Sequence, residues 1–123
     1  MKVVINLEQA KRWNGESGRN WITNRERQHV IRQPLIPHLL RAAAIRPGNR
    51  VLDVGCGCGE TTIVAALATA GPGVGAGGAL GLDLSEPMLA VARRLAAEAD
   101  VTNVDFVAGD AQVYPFPPAS YDV

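Results

Sequence analysis

The sequence carries no net charge, twelve Lys and Arg balancing twelve Asp and Glu. Without a basic surplus there is no overall field to hold a phosphate backbone or an anionic lipid surface, so nucleic acid is not the default partner. Long apolar runs are missing too. The opening MKVVINLEQAKRW meets charge too early for a secretory leader, and no stretch reaches membrane length, so the chain reads as cytoplasmic with no membrane partner. Cysteine is nearly absent. Cys56 and Cys58 are too close for an ordinary disulfide and have no second Cys or His pair nearby, which leaves them as small fillers of a turn, with thiol reactivity the lesser reading. His29 and His38 are not in ligand spacing, so no metal is expected and both read as surface or packing residues. At 123 residues the chain holds one small domain at most.

Glycine, by contrast, is concentrated where it matters, in the stretch Arg50 to Glu60, RVLDVGCGCGE. Val51, Leu52, Asp53 and Val54 read as a strand buried on both faces; Gly55, Gly57 and Gly59 alternate through the turn that follows, and a helix opens near Glu60. Strand, glycine turn and helix make a nucleotide-type site, because the turn must reach positive φ and a Cβ would hold a ligand off the backbone N–H groups. The competing reading is an ordinary glycine-rich turn, and the neighbouring segments decide between them. The G-x-G-x-G spacing differs from the G-x-G-x-x-G of dinucleotide binders, which places an NAD-dependent oxidoreductase second. A G-x-G-x-x-G does occur at Gly73, Gly75 and Gly78, but it leaves a helix and enters a strand, the reverse of the phosphate-binding context; 71–78 reads as a loose loop.

Downstream, the pattern predicts a helix over 60–70 with Ile63, Val64, Leu67 and Ala68 on the sheet, then a second strand over 79–84. Ser85 is the expected N-cap of the next helix, with Pro87 in its first turn and a buried stripe of Met88, Ala92, Leu95, Ala96 and Ala99. A third strand follows over 104–108. Asp83 lies at the end of the second strand, about 20 residues past the glycines, where a carboxylate can accept both ribose hydroxyls of an adenosine. Alone it would be a solvated strand end; coupled to the turn it reads as a ligand residue. Tyr114 to Pro118 is a proline-stiffened link, and Ala119 to Val123 looks like the start of a fourth strand.

Upstream, Trp13-Asn14-Gly15-Glu16-Ser17-Gly18-Arg19-Asn20-Trp21 is predicted to be a compact loop with two aromatic anchors, either a lid or a plug onto the core. Between Asn24 and Ile45, Val30, Ile31, Leu35, Leu39, Leu40 and Ala43 recur at helical spacing, and Pro34 and Pro37 break the run into two pieces.

The glycine turn with Asp53 ahead of it resembles motif I of the class I S-adenosylmethionine-dependent methyltransferases. Leu84-Ser85-Glu86-Pro87-Met88-Leu89 resembles the segment that follows in that family, and W-N-G-x-x-G-x-x-W is similar to the N-terminal element of a bacterial small-molecule branch. The resemblance implies an α/β, Rossmann-like fold, S-adenosyl-L-methionine as cofactor, and methyl transfer to an O, N or C atom of a small-molecule substrate. The cofactor has no pyrophosphate; its carboxylate is the anion that can sit near the turn, and its ammonium needs an acceptor. Cofactor-binding roles are implied for Asp53, Gly55, Gly57, Gly59, Asp83, Met88 and Trp21. Met88 would pack on the adenine, unless it fills the helix–sheet interface; Asp110 would accept from the adenine amino group, and the Ala111 N–H would meet a ring nitrogen. No residue is assigned as a general base. On this reading 1–46 is a loop and helical segment placed as a cofactor lid, and 47–123 is the first half of the cofactor-binding domain, truncated at the fourth strand. Such a chain is expected to be a poor enzyme or a non-catalytic cofactor-binding fragment, self-associating through an open edge at Val51 to Val54.

Overall fold

The computed structural model describes residues 3–72 and 75–123, so Gly73 of the second glycine spacing lies outside the described residues. The element order is α1 (Leu7–Asn14), α2 (Glu16–Thr23), α3 (Arg25–Arg32), a 3-10 turn (Gln33–Leu35), α4 (Ile36–Ala43), β1 (Arg50–Val54), α5 (Glu60–Thr69), β2 (Gly78–Asp83), α6 (Glu86–Glu98) and β3 (Val104–Ala108). The strands are parallel in the order β1-β2-β3, with Val51 beside Ala79 and Ala79 beside Val104. Parallel neighbours need long crossovers, which α5 and α6 supply; right-handed crossovers advancing in one direction put both helices on one face of the sheet. This is the expected α/β, Rossmann-like arrangement.

α5 turns a different side to the sheet than its pattern predicts. Thr62, Ala65, Ala66 and Thr69 are buried, while Leu67 is 56% exposed. The helix is apolar nearly all round, so periodicity has no side to choose; what decides is that small residues let α5 lie close against Val51 and Ala79. α6 follows its predicted stripe at Met88, Ala92 and Ala96 and adds Leu89, which is fully buried beside Phe106 and Ala108. Burial of Leu82 and Leu89 contributes about 1.5–3 kcal/mol each to the strand–helix layer. Ser85 caps α6 as expected, its Oγ accepting from the Met88 N–H at 3.3 Å.

The Trp13–Trp21 stretch is helical, not a loop. α1 and α2 meet with Gly15 alone between them, and Gly18 lies inside α2, where a Cβ would collide with the Trp13 carbonyl oxygen. Its glycine marks a close approach rather than a bend. The same corner is clamped to the start of α6. Asn14 Nδ2 donates to Leu84 O at 2.7 Å, Asn14 Oδ1 accepts from the Glu86 N–H at 3.0 Å, and Ser85 Oγ donates to Trp13 O at 2.6 Å. The prolines do divide the next run: Pro34 falls in the 3-10 turn and Pro37 in the first turn of α4.

At the other side of β1, the Val123 N–H donates to Arg50 O at 3.3 Å and Val123 O accepts from the Leu52 N–H at 2.9 Å, the pattern of a parallel pair. The edge expected to be open is therefore covered from Arg50 to Leu52, while Val54 beyond it is 56% exposed. Among the described residues no helix is long and apolar enough to cross a membrane.

Candidate functional site

All three strands end on one side, and their carboxyl ends carry Asp53, Asp83 and the Gly109-Asp110 turn. In parallel sheets this edge is where ligands bind, because strand ends and helix starts converge there. Gly55, Gly57 and Gly59 have φ of 73°, 56° and 80°, all in the left-handed region, so the positive φ expected of the turn is present at each. The turn is hung on β2, with the Gly55 and Cys56 N–H groups donating to Leu82 O at 2.8 and 3.1 Å. Asp83 then locks it: Oδ2 accepts the Gly57 N–H at 2.8 Å and Oδ1 accepts the Ser85 N–H at 2.9 Å. A carboxylate offers about four lone-pair sites, so two remain for hydroxyl donors.

Over this turn lies a cavity of about 330 Å³. Gly55, Gly57, Gly59, Asp83, Met88 and Trp21 all line it. Met88 Cε lies where it would come within 2.9 Å of a Cβ at Gly57. Trp13 and Trp21 meet edge to face at 6.4 Å, and Arg32 stacks on Trp21 with its guanidinium carbon 5.4 Å from the ring centre.

Three of the predicted residues do not line that cavity. Asp53 sits behind the turn with Oδ2 accepting from Thr62 Oγ1 at 2.7 Å, pinning β1 to α5. Burial, and then the nearby Asp83 carboxylate, raise its pKa, while the Thr62 bond works the other way. Asp110 is occupied by the N-terminal segment: Oδ2 accepts the N–H groups of Ile5 at 3.1 Å and Asn6 at 2.9 Å, and Oδ1 accepts that of Gln112 at 3.0 Å. Ala111, next to it, is exposed. Cys56 and Cys58 also line the cavity; burial first and the Asp83 and Asp53 carboxylates second push the Cys56 thiol up to about 12, and burial raises that of Cys58, which favours the neutral thiol at both.

The Asn6 N–H, with those of Gln112 and Ile5, holds the Asp110 carboxyl below its ordinary value of 3.8. A depressed carboxylate adds stability above its unfolded pKa and loses it as pH falls through the folded one. Docking of residues 5 and 6 should thus persist at pH 5 and release only below 3.8. The amide chemical shifts of Ile5 and Asn6, followed by NMR while acid is added, check this; a midpoint at or above 3.8, or the same curve in Asp110→Asn, contradicts it.

Several residues in the site had no distinguishing pattern in the sequence. Arg32, Glu60 and Thr61 line the cavity. His29, expected at the surface or in packing, places Nδ1 2.8 Å from Glu60 Oε2. Glu60 directly follows the last glycine, and that adjacency was the one available signal; α3 reaches it only through the fold.

The family model for a methyltransferase domain matches residues 51–123. The demethylmenaquinone methyltransferase of Listeria monocytogenes serotype 4a is 40% identical over 83 residues, covering 68% of this chain and 33% of that protein. The nocamycin O-methyltransferase of Saccharothrix syringae is 39% identical over 91 residues, covering 74% of this chain and 31% of that protein. Among solved structures, an S-adenosylmethionine-dependent methyltransferase from Geobacter sulfurreducens in complex with S-adenosyl-L-homocysteine shares 33% identity with a TM-score of 0.53, covering 64% of this chain and 30% of that one. The chain spans about a third of the length of the curated relatives it matches. Strand order, glycine turn, strand-end carboxylate and these likenesses agree: the chain belongs to the class I S-adenosylmethionine-dependent methyltransferase family.

Proposed function

We propose that the chain binds S-adenosyl-L-methionine in the cavity over the glycine turn, within a protein that transfers the methyl group to an O, N or C atom of a small molecule. The observation that carries the reading is the convergence of three positive-φ glycines and Asp83 on one cavity at the carboxyl edge of the sheet. Asp83 would take the ribose hydroxyls on its remaining lone pairs, and Met88 would lie against the adenine. Trp13 and Trp21 close the cavity from α1 and α2, so that the helices of the segment before β1 serve as a lid. Asp53 contributes indirectly, by holding the strand to the helix that the turn joins.

When bound, the cofactor supplies a methyl group already activated on a sulfonium. The chain's own work is to hold it, orient it and keep water from it. The acceptor is proposed to be a small molecule because two relatives carry demethylmenaquinone and nocamycin in their names, and because the chain has no basic field for a polyanion.

Isothermal calorimetry tests the cofactor. S-adenosyl-L-homocysteine should bind with about 1:1 stoichiometry to the native chain, and NAD should give no binding heat. Tight NAD binding without S-adenosyl-L-homocysteine binding would return the site to the dinucleotide reading. In the same experiment Asp110→Ala, which removes both acceptor oxygens, distinguishes an adenine acceptor from a residue that holds only the N-terminal segment: the first loses affinity, the second does not.

A further inference from the structure

Residues of α1, α2 and α3 line a second cavity, of about 610 Å³, and Trp13 and Trp21 belong to its wall as well as to that of the first. The two differ in charge. The cavity over the glycine turn has Asp83 and Glu60 along with Arg32, whereas the second has Arg12 and Arg27 and, among the described residues, no Asp or Glu. Over 7–32 six Lys and Arg stand against three Glu, and none of the three lines it. A cleft walled by one sign of charge concentrates ligands of the other sign.

Neither guanidinium is paired with a carboxylate among the described residues. Arg12 is held in place, its guanidinium carbon 5.6 Å from the centre of the Trp13 ring and its Nε donating to Ser17 Oγ at 3.2 Å, so four of the five N–H donors of the group stay uncommitted. Arg27 is exposed and makes no hydrogen bond or ion pair among the described residues. The rest of the wall is flat and apolar or neutral and polar: the two indoles edge to face at 6.4 Å, Ile31 at 59% exposed, and the amide residues Asn20 and Gln28. Rigid indoles give a planar ring contact area at little entropic cost.

We infer that this second cavity binds a flat aromatic molecule carrying an ionised oxygen, a carboxylate or a phenolate, with Arg12 and Arg27 taking the anion and Trp13 and Trp21 the ring. A neutral ring would leave the two cations without their counter-charge, and an anion without a flat ring would leave the indoles without a partner. The inference does not depend on the S-adenosylmethionine reading, because Arg12, Arg27, Asn20 and Gln28 line the second cavity and not the first.

Calorimetry on the native chain tests this with 2-naphthoate as the probe, 2-naphthamide as its neutral counterpart, and cyclohexanecarboxylate as an anion without a flat ring. The acid should bind, and each of the other two should bind about tenfold more weakly or worse, one having lost both ion pairs and the other the indole contacts. Added sodium chloride should weaken the acid and leave the amide alone. Arg27→Gln should weaken 2-naphthoate by about three- to fivefold, the scale of one exposed ion pair, and leave both 2-naphthamide and S-adenosyl-L-homocysteine unchanged. Saturating S-adenosyl-L-homocysteine should not displace 2-naphthoate. Equal affinity for the acid and either comparison compound, indifference to Arg27→Gln, displacement by S-adenosyl-L-homocysteine, or no 2-naphthoate binding at about 1 mM overturns the inference. Binding of 2-naphthoate to a chain that does not bind S-adenosyl-L-homocysteine upholds it and removes the cofactor reading instead, so the two fail separately. The ligand series needs no variant, so it decides even if Arg27→Gln folds poorly.

Discussion

Gly59→Ala is expected to destabilise the chain by roughly 2–5 kcal/mol, the sum of an alanine forced into the left-handed region and of overpacking. Its φ is 80°, and a Cβ there would come within 2.7 Å of both Ala92 Cβ in α6 and Phe106 Cε1 in β3. Neither neighbour can yield easily, since Ala92 and Phe106 are 0% and 7% exposed in the centre of the α6 layer. Against a usual folding stability of about 5–15 kcal/mol the loss is large. Gly57→Ala makes the control. Its φ of 56° carries the same backbone strain, but its Cβ meets only Met88 Cε, the flexible end of a side chain, at 2.9 Å. The stability cost there should be nearer ~1–2 kcal/mol, with the new methyl intruding on the cavity instead. Urea unfolding followed by far-ultraviolet circular dichroism ranks the two; equal midpoints for both variants would remove the special packing role assigned to Gly59.

Asp83→Ala is expected to weaken S-adenosyl-L-homocysteine by about 1.5–3 kcal/mol, or roughly ten- to a hundredfold, the range for hydrogen bonds to a charged group. Two losses coincide in this variant. The ribose acceptor goes, and the Gly57 and Ser85 N–H groups lose the carboxylate that holds turn and α6 cap in register. Asp83→Asn separates them, because an amide keeps one acceptor oxygen and so can hold one of the two N–H groups but not both. It should retain most of the fold and still lose affinity. An Asp83→Ala chain that binds S-adenosyl-L-homocysteine like the native one would place the ribose elsewhere.

The amino-acid sequence by itself determined the parts whose chemistry is local. Positive φ at Gly55, Gly57 and Gly59, the cap at Ser85, the strand-end position of Asp83 and the alternation of strand and helix are set by residues a few positions apart, and so they are visible along the chain. Where the sequence expects a fourth strand to start, Val123 does bond to Arg50 and Leu52, but no strand is formed over 119–123. Where the local signal was ambiguous, the reading failed. Gly15 and Gly18 looked like a loop because glycine's two uses, bending and close packing, leave the same letter, and only the contact with Trp13 shows that Gly18 serves the second. Likewise α5 is apolar on every side, so its buried face was chosen by the sheet it lies on.

What the tertiary structure alone decided is who meets whom across long separations. Asp110 has a ligand role by resemblance, and only the fold shows that its carboxylate also accepts the backbone N–H groups of Ile5 and Asn6 from the far end of the chain. Arg32 is an ordinary charge in the sequence, and Glu60 is marked only by directly following the last glycine. Folding α3 beside the glycine turn brings His29 and Arg32 onto Glu60 and stacks the Arg32 guanidinium on Trp21, a meeting absent from any local pattern.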